Sequence, residues 1–348
     1  MGIFLETVKK IVIKALITLE KKLIIPCKIQ YFAIDSAIVE EVIYDKNTHG
    51  FTSCVLFCHY NKHGLILEQV KELCLFFQSQ RIDVIFVTTK VSSEARLWLE
   101  KNLSALIIRK NFGRDFGAWK DSISFLKKRA LFSNCSQLYL INDSILLLEN
   151  NLRNGHFQAE FVDDNNSDMI GLTESWQKAY HLQSYCLKFN QKVTQSECFS
   201  NYWDNYYLIN SRRFSIENGE IGLTQMVLKN GYKLKSLYPL SDILKTENLE
   251  RFLSIVEDLP LPEFSETRER LFDELFLLDF NDINPSHRLW PLIVLAGCPV
   301  LKRDLIEKNP DGLLSMKYFM YFMEKFIDND QTKELLQSSL LHIKYQSL

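Results

Sequence analysis

Between residues 51 and 142 the chain alternates short unbroken apolar runs with segments of helical periodicity, and this alternation limits its fold more than any other feature. Cys54-Val-Leu-Phe-Cys58, Asp83-Val-Ile-Phe-Val-Thr88, Ala105-Leu-Ile-Ile108 and Gln137-Leu-Tyr-Leu-Ile141 are too short for helices and show no polar face. That is the pattern of strands buried on both sides. Between them Leu67, Val70, Leu73, Cys74 and Phe77 recur at helical spacing, Ser92 can cap a short helix, and another helix runs through Trp119, Ile123 and Leu126. Repeated strand–helix–strand units predict an α/β fold with a doubly wound, mostly parallel sheet, whose ligands sit beyond the strands' carboxyl ends. Residues 168–173 and 232–238 also read as strands, and 220–229 as a helix closed by Asn230-Gly231. Past residue 248 the pattern turns helical, at 269–280, 290–295, 304–307, 313–326 and 331–343. Three regions are expected: a lead-in over 1–50, an α/β domain over 51–248, and a helical C-terminal region over 249–348 packed on it.

Composition removes several classes. With 47% hydrophobic and 24% charged residues in 348, the chain is neither disordered nor a small disulfide-stapled scaffold. Forty-one Lys+Arg against 43 Asp+Glu leave no global basic field for nucleic acid. The eight cysteines are scattered without a C-x-x-C, which reads as buried thiols in a reducing, cytoplasmic setting and not as zinc ligands. Residues 1–30 hold six Lys and two Glu, with Ile3, Phe4, Val8, Ile11, Ala15 and Leu19 at near-helical spacing. The apolar stretch 11–19 is too short to span a bilayer, and no small-residue cleavage pattern follows it. Two readings stay open here: a helix lying on an anionic membrane surface, or one packed on its own domain.

Four segments can carry chemistry. In Arg109-Lys110-Asn111-Phe112-Gly113-Arg114-Asp115-Phe116-Gly117, glycines follow a strand and open a helix, a place where backbone amides and cations suit a phosphate. A structural turn with an Arg114–Asp115 pair explains the same residues. Asn142-Asp143-Ser144 ends a strand, where Asp143 can hold a hard cation bridging phosphates, or simply cap the next turn. Glu217 and Glu220 precede a helix and suit a dipole cap or a general base. Trp176, His181, Gln183 and Tyr185 combine rings with polar groups, as a sugar site does, though a lone His among aromatics also fits a packed core. His287 and Arg288 after Asn284-Pro285 read as a helix start, and the Phe/Met stripe at 318–326 as core.

The string Asn111-Phe-Gly-Arg-Asp-Phe-Gly-Ala-Trp119 resembles the N-x-G-R-D-x-G segment of the rhamnan synthesis F family of surface-polysaccharide glycosyltransferases. Leu140-Ile-Asn-Asp-Ser144, Ile170-Gly-Leu-Thr173, His181-Leu-Gln-Ser-Tyr185, Asn284-Pro-Ser-His287, Ala296-Gly297, Lys302-Arg303 and Asn309-Pro310 follow that family's order over roughly residues 50–312. The resemblance implies a GT-A type of fold that binds a nucleotide-sugar donor, with Lys110, Asn111, Gly113, Arg114, Asp115, Gly117 and Asn142 near the nucleotide. It places Asn142-Asp143 where related enzymes carry a D-x-D motif for Mg²⁺ or Mn²⁺; here that motif has lost two acids. It makes Glu220 the base of an inverting displacement, with Glu217 in reserve. Trp176, His181, Gln183 and Tyr185 would meet a glycan acceptor, lipid-linked at the inner membrane face. The family name points to rhamnose as the sugar. Two alternatives stand beside this reading: a binding module of the same fold without turnover, and a nucleotidyltransferase. The latter would need a Gly-rich loop with a downstream Lys, which 60–65 does not supply.

Overall fold

A computed structural model of the chain describes residues 2–32, 34–44, 51–276, 284–309, 316–326 and 329–347. The side chains of Ile3 and Phe4, the end of the helix expected to reach 280, Pro310, and the helix start expected at 313 lie outside the described residues.

The strands are β1 (Ile38–Ile43), β2 (Ser53–Cys58), β3 (Asp83–Thr88), β4 (Ala105–Arg109), β5 (Gln137–Asn142), β6 (Ile145–Leu147), β7 (Met169–Ser175), β8 (His181–Leu182), β9 (Cys186–Asn190), β10 (Leu234–Tyr238) and β11 (Val300–Lys302). The main sheet runs β1-β4-β3-β2-β5-β9-β7-β10, with β8 on β7. β4, β3, β2 and β5 are mutually parallel, as are β7 and β10. The expected parallel sheet is present, with two departures: β1 pairs antiparallel on the edge strand β4, and β9 enters antiparallel between β5 and β7. Neither was anticipated, because an alternating edge segment such as Ile38–Ile43 and a short mixed one such as Cys186–Asn190 carry weak period-two signals.

Strand residues alternate between two cores. Val55, Phe57, Val84 and Phe86 enter one; Cys54, Leu56, Cys58, Ile85 and Val87 enter the other. Both faces are therefore buried, which is why these strands read as unbroken apolar runs. The helix Glu68–Ser79 covers the first face with Val70, Leu73, Cys74 and Phe77, joined by Phe252, Val256, Trp290, Phe319 and Phe322 from the C-terminal region. Residues past 248 thus form a layer on the same sheet and share its core. The helix Arg114–Lys128 covers the second face with Phe116, Trp119, Ile123 and Leu126, beside Phe199, Trp203, Leu223 and Val227. Trp119 Nε1 donates to Leu56 O at 3.2 Å and pins this helix across β2.

Ser92 caps its helix as expected, accepting from Ala95 N, and Gly231 has the left-handed φ of 74° that a helix C-terminus needs. The described cysteines are free thiols, buried except for Cys27 and Cys198. Arg109 does not reach toward a phosphate. Its Nε donates to Asp121 at 2.8 Å, with both side chains about 2% exposed or less, and its Nη2 donates to Phe112 O. Asp121 also accepts from Ala37 N, so the pair ties β4, the helix and the approach to β1 together. Removing one partner of such a buried pair costs about 3–5 kcal/mol. Arg109→Met is expected to lose that much in urea unfolding at neutral pH, and a loss below about 1 kcal/mol would show that Asp121 is not left uncompensated.

Candidate functional site

The strand order reverses between β2 and β5, whose ends Cys58 and Asn142 sit side by side in register. A ligand crevice is expected outside the carboxyl ends at such a point. A cavity of about 450 Å³ lies there. Five segments reach it: the turn into the helix Arg114–Lys128, the 142–144 turn, residues 183–184, the 212–220 segment, and residues from 284 to 308.

Gly113 (φ 75°) and Arg114 (φ 55°) are both left-handed at the start of the helix. Gly113 N–H donates to Asn210 Oδ1 at 2.8 Å, which holds the turn. A Cβ on Gly117 would stand 2.4 Å from Phe112 O, so the close backbone approach needs glycine. A non-glycine residue held at positive φ is strained, and such strain gathers at functional turns. Arg114 and Asp115 line the cavity. Lys110 and Asn111 are exposed outside it, and Gly113 and Gly117 serve the turn. Burial, reinforced by the neighbouring Asp143, pushes the Asp115 carboxyl up from its ordinary value.

The 142–144 turn is closed on itself. Asn142 Oδ1 accepts from Ser144 N at 3.1 Å, and its Nδ2 donates to Asp115 at 3.0 Å. Asp143 accepts from Tyr60 N at 3.1 Å and has the Arg303 guanidinium 3.7 Å away. Asp143 therefore caps no following turn; it anchors the loop after β2. Among the described residues no group of three or more His, Cys, Asp or Glu is placed to hold a metal ion. A divalent cation fits this turn poorly, because its single carboxylate already has a cation and an amide as partners.

Glu220 is the penultimate residue of a π-helical turn, Ser215–Ile221, that links the short helix Arg212–Phe214 to the helix Gly222–Lys229. Such turns recur at functional sites. The turn packs so tightly on Phe116 that a Cβ on Gly219 would stand 2.7 Å from the ring. Glu220 Oε2 accepts from Ser184 N at 2.8 Å and from Ser184 Oγ, and Oε1 lies 3.3 Å from His181 Nε2. Burial alone would raise its carboxyl, but the bond and charge of His181, with Lys302 and Ser184, bring it down to about 2. His181 sits behind it: burial lowers the imidazole, and Glu220 more than offsets this and raises it. Glu217 is placed differently. It pairs with Lys21 at 2.9 Å and Lys178 at 3.1 Å and does not line the cavity, which leaves it no room to act as a base.

The other aromatic and polar candidates divide. Gln183 lines the cavity, but its amide is committed to Asn284, Ser286 and Thr173. Tyr185 is buried with its hydroxyl on Thr173, and His181 serves Glu220. Trp176 is half exposed against Tyr180 and outside the cavity. Lys302, Arg303, His287 and Asp304 also line the cavity; the sequence reads His287 as a helix start and Lys302-Arg303 as part of the family-like pattern, and names none of the four as a site residue. Antiparallel pairing of β11 on β6 sets Lys302 opposite Ile145 and lets Arg303 N donate to Ser144 O. The local signal was two adjacent cations after an apolar pair; nothing in it announces a partner strand so far back. His287 Nε2 lies 3.1 Å from Asp304, an acid that burial would raise but His287 and Lys302 hold at about 2.

Fold and cleft together define an α/β protein with a charged cavity at the reversal point of a mostly parallel sheet. Residues 84–255 match the family described as rhamnan synthesis protein F, the family that the motifs resemble. The virulence protein VirA of Vibrio anguillarum is 24% identical over 261 residues, 74% of this chain and 80% of its own length. The uncharacterized protein y4gN of Sinorhizobium fredii is 33% identical over 178 residues, 49% of this chain and 45% of its own. Among solved structures, the mannosyltransferase PcManGT from Pyrobaculum calidifontis in complex with GDP-Man and Mn²⁺ aligns at 12% identity with a TM-score of 0.34, covering 85% of this chain and 88% of that one. S. aureus TarS 1-349 aligns at 13% identity with a TM-score of 0.33, covering 83% and 91%.

The His181–Glu220 pair makes stability depend on pH. Glu220 is depressed, so its contribution is present above its ordinary 4.5 and is lost as pH falls toward 2. His181 is raised, so its contribution is full below 6.5 and is lost as pH rises through the folded value. Between 4.5 and 6.5 both hold. In urea titrations across pH, the stability difference between wild type and His181→Gln is expected to be largest in that window; a difference flat with pH counts against the pair.

Proposed function

We propose that this chain is a glycosyltransferase of GT-A type that moves a sugar from a nucleotide-sugar donor to a growing cell-surface polysaccharide by a single inverting displacement. One observation carries the reading: a carboxylate held ionised, Glu220, lines one cavity together with the cations Arg114 and Lys302. The acceptor hydroxyl attacks the anomeric carbon while its proton passes to Glu220. The bond from that carbon to the phosphate oxygen breaks, and the nucleotide leaves with the electron pair. A carboxylate as acidic as Glu220 takes the proton late, once the attacking oxygen has given most of its charge to the new bond. Arg114 and Lys302 stabilise the charge that grows on the leaving phosphate. No step is routed through a divalent cation. Rhamnose is the sugar suggested by the family description, and a lipid-linked glycan is the acceptor we propose with it.

Two measurements test this. In a thermal-shift screen against UDP-, GDP-, CMP- and dTDP-sugars, one nucleotide class should raise apparent stability, by about 2.7 kcal/mol at 100-fold excess over Kd. Glu220→Gln should then lose roughly 10²- to 10⁴-fold in kcat, the usual contribution of a general base, while donor binding persists. Turnover unchanged in Glu220→Gln removes the base assignment. Donor binding without any turnover in the wild type favours the non-catalytic module.

The N-terminal helix supports a place for this reaction at the inner face of the cytoplasmic membrane. The helix Gly2–Leu19 continues through a π-helical turn into Ile25–Phe32, and Ile25 is buried where the helix meets the domain. Glu20 bonds Ser211 and Arg213, and Lys21 reaches Glu217. Before that anchor Ile11, Val12, Ile13, Leu16 and Leu19 are exposed beside Lys9 and Lys14, an arrangement that fits an anionic lipid surface rather than packing on the domain. No described helix is long and apolar enough to cross a membrane. The protein should float with anionic vesicles at low salt, and Ile11→Glu/Leu16→Glu should stay at the bottom of the gradient. Wild type that stays behind with the vesicles present at low salt overturns the placement.

A further inference from the structure

A GT-A fold implies a divalent cation between donor phosphates and a paired-acid motif, and the 142–144 turn does not match that requirement. We infer that the Lys302 ammonium, supported by Arg114 and Arg303, stands in the place of that cation and binds the diphosphate directly. The inference rests on the transferase reading above and extends it to the charge that holds the donor.

Position is the first argument. Lys302 ends β11, and the β11–β6 pairing sets it beside the turn where a metal motif would lie. Its Nζ stands 4.5 Å over the Tyr185 ring, whose hydroxyl is tied to Thr173, so a fixed aromatic floor holds the ammonium at the cavity wall. Among the described residues no carboxylate lies within ion-pair distance of it, whereas the neighbouring acids have partners of their own: Asp304 has His287, Glu307 has Arg303 at 3.0 Å, and Glu220 has His181. The charge of Lys302 helps to lower Glu220 and Asp304 and opposes the burial that raises Asp115, which puts it within electrostatic reach of three acids of the cavity.

Charge is the second argument. Arg303 is almost fully buried between Asp143 and Glu307, and so occupies the carboxylate that a metal would need. Arg114, at a left-handed φ of 55° in the first position of its helix, lines the same cavity. A lysine is a compact point charge with three donors, suited to bridging phosphate oxygens as a metal does. This arrangement costs the site no ligand exchange and leaves diphosphate binding independent of metal supply.

Inorganic pyrophosphate titrated calorimetrically into the full chain isolates this step from sugar and base recognition. In EDTA the wild type should bind, and adding Mg²⁺ or Mn²⁺ to a chelator-free sample should change the affinity less than threefold. Lys302→Met, which keeps the apolar stem over Tyr185, should weaken binding at least tenfold with its thermal midpoint unchanged, and Lys302→Arg should restore most of it. Binding that requires Mn²⁺ overturns the inference but leaves the transferase reading standing. Binding in EDTA that Lys302→Met does not weaken overturns the role of Lys302. Binding under neither condition removes the cavity as a diphosphate site, and both readings fall together.

Discussion

Burial of both faces of the central sheet is the constraint on which the rest of this molecule depends. Alternate residues of β2 and β3 enter different cores, so the chain must supply helices to both sides between consecutive parallel strands. The connections then leave the strands' carboxyl ends along one rim, and the reversal of order between β2 and β5 opens that rim into a crevice. The position of the cavity is a consequence of covering the sheet, before any catalytic residue is considered. The C-terminal helices belong to the same arrangement: they complete the first face, and Asn284, His287 and the stretch from Lys302 at the end of β11 to Lys308 turn back into the crevice.

Electrostatics within the rim follow a common scheme in which an acid is matched by a base before a ligand arrives, with Asp115, which burial and Asp143 push up, as the exception. Asp121 is matched by Arg109, Asp143 by Arg303, Glu220 by His181 and Asp304 by His287. A buried carboxylate without a partner would take up a proton, so this matching keeps Glu220 charged at any working pH. It also separates residues of one type into different roles. Glu217 and Glu220 lie three positions apart, yet the π-helical turn aims one at a cluster of lysines on the surface and the other at the cavity. The N-terminal helix is the exception to the rule of burial: its apolar residues from Val8 to Leu23 remain largely uncovered, and the ion pairs of Glu20 and Lys21 fasten it to the segment that carries the candidate base.

The parallel strands and their covering helices were legible in the sequence because two-sided burial writes itself as unbroken apolar runs, and caps such as Ser92 and Gly231 mark helix ends chemically. Arg114, Asp115, Asn142, Asp143 and Glu220 were legible as candidates because they sit at strand ends and helix starts. Arg109 was misread as a phosphate cation, since a basic residue before a glycine-rich turn looks the same whether it faces solvent or a buried Asp121. Gln183, Tyr185 and His181 read as a sugar-binding set, whereas their polar atoms are committed to Asn284, Thr173 and Glu220.

By itself, then, the sequence determined the class of fold, the faces of its strands and helices, and a short list of residues at the ends of elements, because those depend on local periodicity and local caps. Tertiary structure alone decided which charges meet. Lys302 reaches the 142–144 turn only through the β11–β6 ladder, and Glu220 faces the cavity while Glu217 does not only because a π-helical turn adds a residue against Phe116. A pairing between distant segments leaves no periodic trace in either of them, and the chemistry of this cavity is built almost wholly from such pairings.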